Sequence, residues 1–215
     1  MKIGIIGSGI LGRVLATSFL TEGHEVMLGT RNISKTEVIN WKKENASGLV
    51  GIFAETAKFG DILVLVTKGS VAEEAIKLGG IDNFANKIVI DATNPIAAAP
   101  PVNGVLKYFT SLDDSLMEKV QRLVPKAKFV KAFNSVGNGS VYKPLFKEGK
   151  PTMFICGNDD EAKKIVANIL STFGWETEDM GKVEAARAIE PLCILWCIPG
   201  FIRNQWTHAF KLLKA

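Results

Sequence analysis

The spacing of apolar and polar positions changes period repeatedly along the chain. Lys2–Ile6 is a short apolar run that leads into a glycine cluster. Beyond it, Leu11, Leu15, Ser18 and Phe19 recur at helical spacing, which predicts a helix over Ile10–Thr21 ended by Gly23. Further strands are expected at His24–Leu28, Leu49–Phe53, Asp61–Val66, Lys87–Asp91 and Lys128–Phe133. Helices are expected between them: Lys35–Glu44 with Ser34 as its cap, Ala54–Phe59, Val71–Leu78, and Asp113/Asp114 to Leu123. A Pro-rich loop fills 97–104. The unbroken apolarity of Ile62–Val66 suits a parallel strand covered on both faces. Six strands alternating with helices predict an α/β fold with a doubly wound, mostly parallel sheet in the order 3-2-1-4-5-6. Two more strands, Thr152–Cys156 and Trp175–Glu178, flank a helix at Asp160–Phe173 and are expected to extend the same sheet. Val183–Leu213 predicts apolar helices broken at Pro199-Gly200. The chain thus divides into a nucleotide-binding unit, 1–149, and a C-terminal subdomain, 150–215.

The glycine cluster is Gly7-Ser8-Gly9-Ile10-Leu11-Gly12, a Gly-x-Gly-x-x-Gly loop between strand and helix. In that context Gly7 allows the tight turn and Gly9 lets a pyrophosphate approach the backbone. Gly12 lets the helix lie close to the strand. Free amides and the helix dipole then face the phosphates. The expectation is a Rossmann-type dinucleotide site. An NAD site would place an acid about 20 residues past the glycines. Here that place holds Gly29-Thr30-Arg31-Asn32. A carboxylate 4 Å from a 2′-phosphate would cost about 4 kcal/mol at intermediate dielectric, whereas a guanidinium offers a fork of donors. Thr30, Arg31, Asn32 and Lys35 are therefore expected to select NADP(H). Ligands of such sheets lie beyond the strands' carboxyl ends. That adds Val66, Thr67, Lys68, Thr93, Asn94, Pro95, Ala132, Phe133 and Asn134 as cofactor-binding candidates.

Composition narrows the picture modestly. A net charge of +4 is too mild to argue for nucleic acid. Three cysteines without framework spacing point to reduced thiols and a cytoplasmic setting. The fold starts at the N-terminus, so no cleavable leader is expected. The longest apolar stretch, Pro191–Ile202, falls short of the about 20 residues a bilayer crossing needs, so no membrane partner is expected. Such an apolar end favours a homodimer through the C-terminal helices. Proton donors are scarce. His24 opens a strand at its wrong end, and His208 lies on the apolar tail. Tyr108 and Tyr142 lack a Tyr-x-x-x-Lys context; Lys68 and Lys131 are conceivable donors, but Lys131 is expected to be ion-paired inside its strand. That scarcity favours hydride transfer to a small flat acceptor over carbonyl reduction, with no catalytic side chain assigned. Cys193 and Cys197 share a helix face and are expected to be core rather than metal ligands. Asp159-Asp160-Glu161 compensates a helix dipole.

Four segments carry a family resemblance: the Gly7–Gly12 loop, Gly29-Thr30-Arg31-Asn32, Lys131-Ala132-Phe133-Asn134, and Phe154-Ile155-Cys156-Gly157-Asn158-Asp159. On these the chain resembles the coenzyme F420-dependent NADP oxidoreductases. It also resembles the cytosolic reductase domain of the six-transmembrane epithelial antigen ferric reductases. The resemblance implies NADPH in the glycine loop, with its 2′-phosphate on Thr30 and Arg31. It implies a deazaflavin near Asn94-Pro95, the loop after Phe133 and the C-terminal helices. Two departures stand out. The archaeal enzymes carry a Trp-Glu-His-like segment where this chain has Lys68-Gly69-Ser70, and an apolar Pro-containing loop where it has Asn134-Ser135-Val136-Gly137. Another flavin or a quinone-like ring stays open as acceptor. So do an NADPH-dependent carbonyl or imine reductase and a non-catalytic NADP(H) sensor.

Overall fold

Six strands pair in parallel in the predicted order: β3 (Leu49–Ile52), β2 (Glu25–Thr30), β1 (Lys2–Ile6), β4 (Ile62–Leu65), β5 (Ile88–Asp91) and β6 (Lys128–Lys131). The computed structural model describes residues 1–214. Successive strand residues point to opposite faces, which is why the central strands are apolar throughout. Ile3, Ile5, Val64 and Ile90 pack under α1 (Ile10–Thr21) and α2 (Thr36–Glu44). Ile6, Leu63, Leu65 and Val89 pack under α3 (Phe53–Phe59), α4 (Ala72–Gly79) and α5 (Leu116–Leu123).

Several boundaries differ from the sequence-based expectation. Helix α5 starts at Leu116 because Ser115 caps it: Glu118 N donates to Ser115 Oγ at 3.1 Å and Ser115 N to Glu118 Oε2 at 2.8 Å. Helix α2 starts at Thr36, and Ser34 does not cap it; its amide donates to Asn32 Oδ1 at 2.9 Å. Strand β6 ends at Lys131 rather than Phe133. Phe133 turns into the left-handed region, φ 61°, and its amide donates to Met153 Sδ at 3.3 Å.

The later strands are a correction. Strands β7 (Thr152–Ile155) and β8 (Glu176–Asp179) do not lengthen the six-strand ladder; they form their own parallel pair around α6 (Asp160–Thr172). A single antiparallel bridge, Lys131 to Cys156, ties β7 to the edge of the main sheet. The C-terminal run also differs. A 3-10 turn, α7 (Ala186–Ile189) and α8 (Pro191–Arg203) join into one 21-residue helical run, Val183–Arg203, whose most apolar 18-residue window has mean hydropathy 1.5. By length and composition this one helix could cross a membrane, contrary to the expectation from Pro191–Ile202 alone, although a third of its apolar window is buried in the protein. Pro199 lies inside α8 without ending it; Asn204, φ 52°, does. Residues 204–214 are not helical but run back along β7, with Thr152 N donating to Phe210 O at 2.8 Å.

Candidate cofactor site

The phosphate loop is built from backbone. Gly7 adopts φ 135°, and a Cβ on Gly12 would collide with the Gly7 carbonyl oxygen. Both positions therefore require glycine. A Cβ on Gly9 would meet nothing within 4 Å, so the space above the loop is open to a ligand. Gly9 caps α1 without a side chain, and no acid occupies the first turn. The orphan amides and the positive end of the dipole are left for an anion. Arg13, not foreseen from sequence, donates from Nη1 to Ser8 O at 2.8 Å and braces the loop from below.

A cleft of 690 Å³ opens over this loop at the carboxyl ends of β1, β2 and β4. Of the candidates, Gly7, Ser8, Gly9, Ile10, Leu11, Thr30, Arg31, Lys35, Val66, Thr67 and Lys68 line it. Phe53, Val71, Glu74, Ala75, Leu78 and Ala92 line it as well and were not anticipated. A signal existed: Val71, Ala75 and Leu78 recur at helical spacing, and Leu78 stays half exposed.

Thr30 is placed differently from its expected role. It is 1% exposed, and its hydroxyl accepts from Ser8 Oγ at 3.0 Å and donates to Asn32 O at 3.1 Å. Its oxygen also accepts from Asn32 N at 3.2 Å. With those bonds made, Thr30 shapes the turn rather than offering a donor to phosphate. Asn32 lies outside the cleft lining, its side chain holding Ser34. The cations that face the cleft at this end are Arg31 and Lys35.

At the other end, Thr67 Oγ1 is buried without a hydrogen-bond partner, an orphan polar atom in the cleft wall. A cofactor hydroxyl or amide would satisfy it, so the residues present fit a dinucleotide. Thr93, Pro95, Ala132, Phe133 and Asn134 are buried and lie outside the lining of this cleft, and Asn134 Oδ1, like Thr67 Oγ1, has no hydrogen-bond partner. Asn94 Nδ2 donates to Asn134 O at 2.7 Å, and Asn134 Nδ2 donates to Asn94 Oδ1 at 3.3 Å and Ile189 O at 3.0 Å. Asn94, half-buried, is the member of this group left nearest the surface.

Lys131 is ion-paired, as its place in a strand suggested. Its ammonium lies 2.7 Å from Asp91 Oδ2 and 2.9 Å from Glu190 Oε1, and donates to Thr93 O at 3.0 Å. Burial alone would lower its pKa; the two carboxylates outweigh that and hold it above the ordinary range. Glu190 also accepts from Leu116 N at 3.0 Å and Met117 N at 2.9 Å, capping α5 from a distant part of the chain.

The remaining candidate donors are held elsewhere. His24 packs on Phe19 at the far end of β2. His208 stacks on Trp196 with ring centroids 5.0 Å apart, its Nε2 2.9 Å from Trp196 O. Tyr142 OH donates to Glu22 Oε1 at 2.6 Å. Tyr108 OH donates to Glu190 O at 2.7 Å, and burial pushes its phenol pKa up. Asp159 caps α6 through Ala162 N at 2.8 Å, so this acid serves the helix terminus.

A second ion pair ties α7 to α5. Arg187 grips Glu118 at 2.9 Å through Nε and, through Nη2, at 2.6 Å, and holds the Glu118 pKa down at about 2. A carboxylate pKa lowered on folding adds stability above its unfolded value of about 4.3, and that stability is lost as pH falls through the folded value. Arg187→Ala is expected to lower the urea midpoint at neutral pH. The gap to the parent protein should close as the pH approaches 2. A gap of constant size across that range would count against this pairing.

Residues 2–95 match the family model described as NADP oxidoreductase, coenzyme F420-dependent. The F420-dependent NADP reductase of Methanocaldococcus jannaschii is 30% identical over 202 residues, covering 89% of this chain and 89% of that protein. The chain belongs to the F420-dependent NADP oxidoreductase family. It is accordingly an NADP-dependent oxidoreductase on a Rossmann-like sheet. A solved structure from Arthrobacter sp. FB24, proposed to be another F420-dependent NADP reductase, superposes with a TM-score of 0.93. The two are 29% identical, and all of both chains is covered. The metalloreductase STEAP3 of Rattus norvegicus is 29% identical across 94% of this chain, which spans only 39% of STEAP3. The family's NADP agrees with the cations at the end of β2.

Proposed function

We propose that this oxidoreductase passes hydride between NADP(H) and the deazaflavin coenzyme F420. The observation that carries the reading is the disposition of the His and Tyr proton donors: His24, His208, Tyr108 and Tyr142 are each committed away from the cleft, which leaves Lys68 as the side-chain donor in its lining at the end of β4. A carbonyl acceptor needs a proton from such a group; a flat conjugated acceptor does not. The names of the relatives that match most of their own length point the same way. When bound, NADPH supplies the hydride and the ring opposite takes it. The protein's part is to hold two planes face to face and exclude water. The first-turn amides of α1 would hold the diphosphate, and Arg31 and Lys35 the 2′-phosphate. Thr67 and Lys68 flank the reacting end, with Asn94 beside them braced by Asn134. The three free cysteines support a cytoplasmic setting.

Stopped-flow mixing of NADPH-loaded protein with a panel of acceptors tests the proposal. Rapid oxidation by the deazaflavin, and slow or no oxidation by FMN, FAD and quinones, is the expected result. Because Lys68-Gly69-Ser70 and Asn134–Gly137 depart from the archaeal pattern, those other rings belong in the same panel. Turnover confined to carbonyls or imines would overturn the reading. So would tight NADPH binding with no acceptor reduced.

A further inference from the structure

Arg13 stands where a helix disfavours a cation. It lies one turn into α1, close to the positive end of the helix dipole, and the first turn carries no acid to offset it. Its guanidinium Nη1 donates to the Ser8 carbonyl at 2.8 Å, and its main-chain amide donates to Gly9 O at 3.0 Å. One residue therefore holds two consecutive carbonyls of the phosphate loop. Any residue except proline makes the main-chain bond, which opens the helical ladder. The bond to Ser8 needs a long side chain with a donor at its end.

The consequence is set by peptide geometry. A trans peptide is planar, so its carbonyl and its N–H point in opposite directions. Arg13 does not line the cofactor cleft; it lines the groove on the outer side of α1, with Val14, Trp41 and Asn138. A Ser8 carbonyl drawn toward Arg13 turns the Gly9 amide the other way, toward the cleft that Gly9 lines. The bond from Arg13 N to Gly9 O sets the Ile10 amide in the same manner. On the far side of the loop, Ser8 Oγ donates to Thr30 Oγ1 at 3.0 Å and ties the same residue to the end of β2. A rotated Ser8–Gly9 peptide would present a carbonyl oxygen to the anion and replace an attraction with a repulsion. A donor already aimed needs no reordering when the anion arrives.

We propose that Arg13 is a positioning residue for the cofactor: its side chain locks the Ser8–Gly9 peptide with the Gly9 amide aimed at the diphosphate. The diphosphate is common to NADPH and NADH, so Arg13 serves both, whereas Arg31 serves the phosphorylated form. The inference rests on dinucleotide binding and is independent of the acceptor.

Calorimetric titration of Arg13→Met is expected to show NADPH and NADH both bound about 10-fold or more weakly, the value of one charge-assisted hydrogen bond, with their ratio unchanged. The KM for NADPH should rise while kcat holds, the mark of binding lost equally from ground and transition states. Arg13→Lys, which keeps the charge and one donor on a long stem, should recover part of the affinity. The direct readout is the Gly9 amide resonance in isotope-labelled protein. It should move strongly when NADP+ binds the parent and much less in Arg13→Met, while glycine amides remote from the loop behave alike in both. Methionine is as good a helix former as arginine, so the fold should hold; if it does not, Arg13→Gln, with a shorter side chain, carries the same expectation. Affinities equal to the parent's would overturn the proposal. So would a loss confined to NADPH, which would make Arg13 a reader of the 2′-phosphate. A loss for both with the Gly9 response intact would make it a charge alone and overturn the proposal too. A parent that binds neither nucleotide would overturn the cofactor reading along with it.

Discussion

Replacing Lys131 with methionine is expected to cost about 3–5 kcal/mol of folding stability at neutral pH, because it strands buried carboxylates without their cation. Lys131, Asp91 and Glu190 are all essentially inaccessible to solvent. Asp91 Oδ2 has the Lys131 ammonium, 2.7 Å away, as the partner that balances it. Asp91 Oδ1 is engaged by Thr93 N at 2.9 Å and Thr93 Oγ1 at 2.6 Å. Glu190 retains two amides of α5 in the variant, so Asp91 suffers most. Thermal unfolding should fall by about 10 °C for a chain of this size. The deficit should shrink in acid, where the stranded carboxylates can take up protons. The parent shows the opposite edge: a lysine pKa raised on folding adds stability throughout the range below its ordinary value and loses it only as pH climbs through the folded one. Urea titrations of both proteins at neutral and mildly acidic pH check this. A loss under about 1 kcal/mol would mean that water or a rearranged carboxylate replaces the ammonium.

Arg31→Ala should weaken NADPH binding by about 1–3 kcal/mol, roughly 5- to 150-fold, while NADH binding changes little. Arg31 lies in the cleft at the end of β2, exposed and with Lys35 nearby. The second cation caps the loss, so discrimination should fall without vanishing. Exposure brings screening: the parent's preference for NADPH should itself decline as salt shortens the Debye length below about 8 Å. Isothermal titration with both nucleotides at two salt concentrations measures each point. Equal losses for NADPH and NADH would show that Arg31 supports the loop and does not read the phosphate. Thr30 makes the comparison informative. Its hydroxyl is already spent on Ser8 and Asn32, so any phosphate selectivity falls on the two cations.

How much of this was legible beforehand depended on the range over which the information is written. Helical and strand periods repeat within a few residues, and the strand order follows from right-handed crossovers. The glycine loop could be placed because a positive φ at Gly7 and the crowding at Gly12 are local steric demands. Arg31 and Lys35 were legible as cations at the end of a strand. The start of α5 was legible too, in Ser115 and Glu118, and was missed in favour of Asp113 and Asp114.

The sequence by itself thus determined a doubly wound sheet, a phosphate cradle at its first turn, and a positive charge where an acid would mark the unphosphorylated cofactor. Only the tertiary structure decided which side chains were free to act. Thr30 and Thr93 lost their availability to neighbours. Ala132, Phe133 and Asn134 are buried outside the cleft lining, and Val71, Ala75 and Leu78 entered its wall. It also decided that β7 and β8 pair apart from the main sheet, and that the α8 face is left open. The physical reason is that hydrogen-bond partners and burial belong to groups brought together from distant parts of the chain. Glu190 capping α5 from 74 residues away is the plainest case. No period or spacing in the chain encodes that meeting.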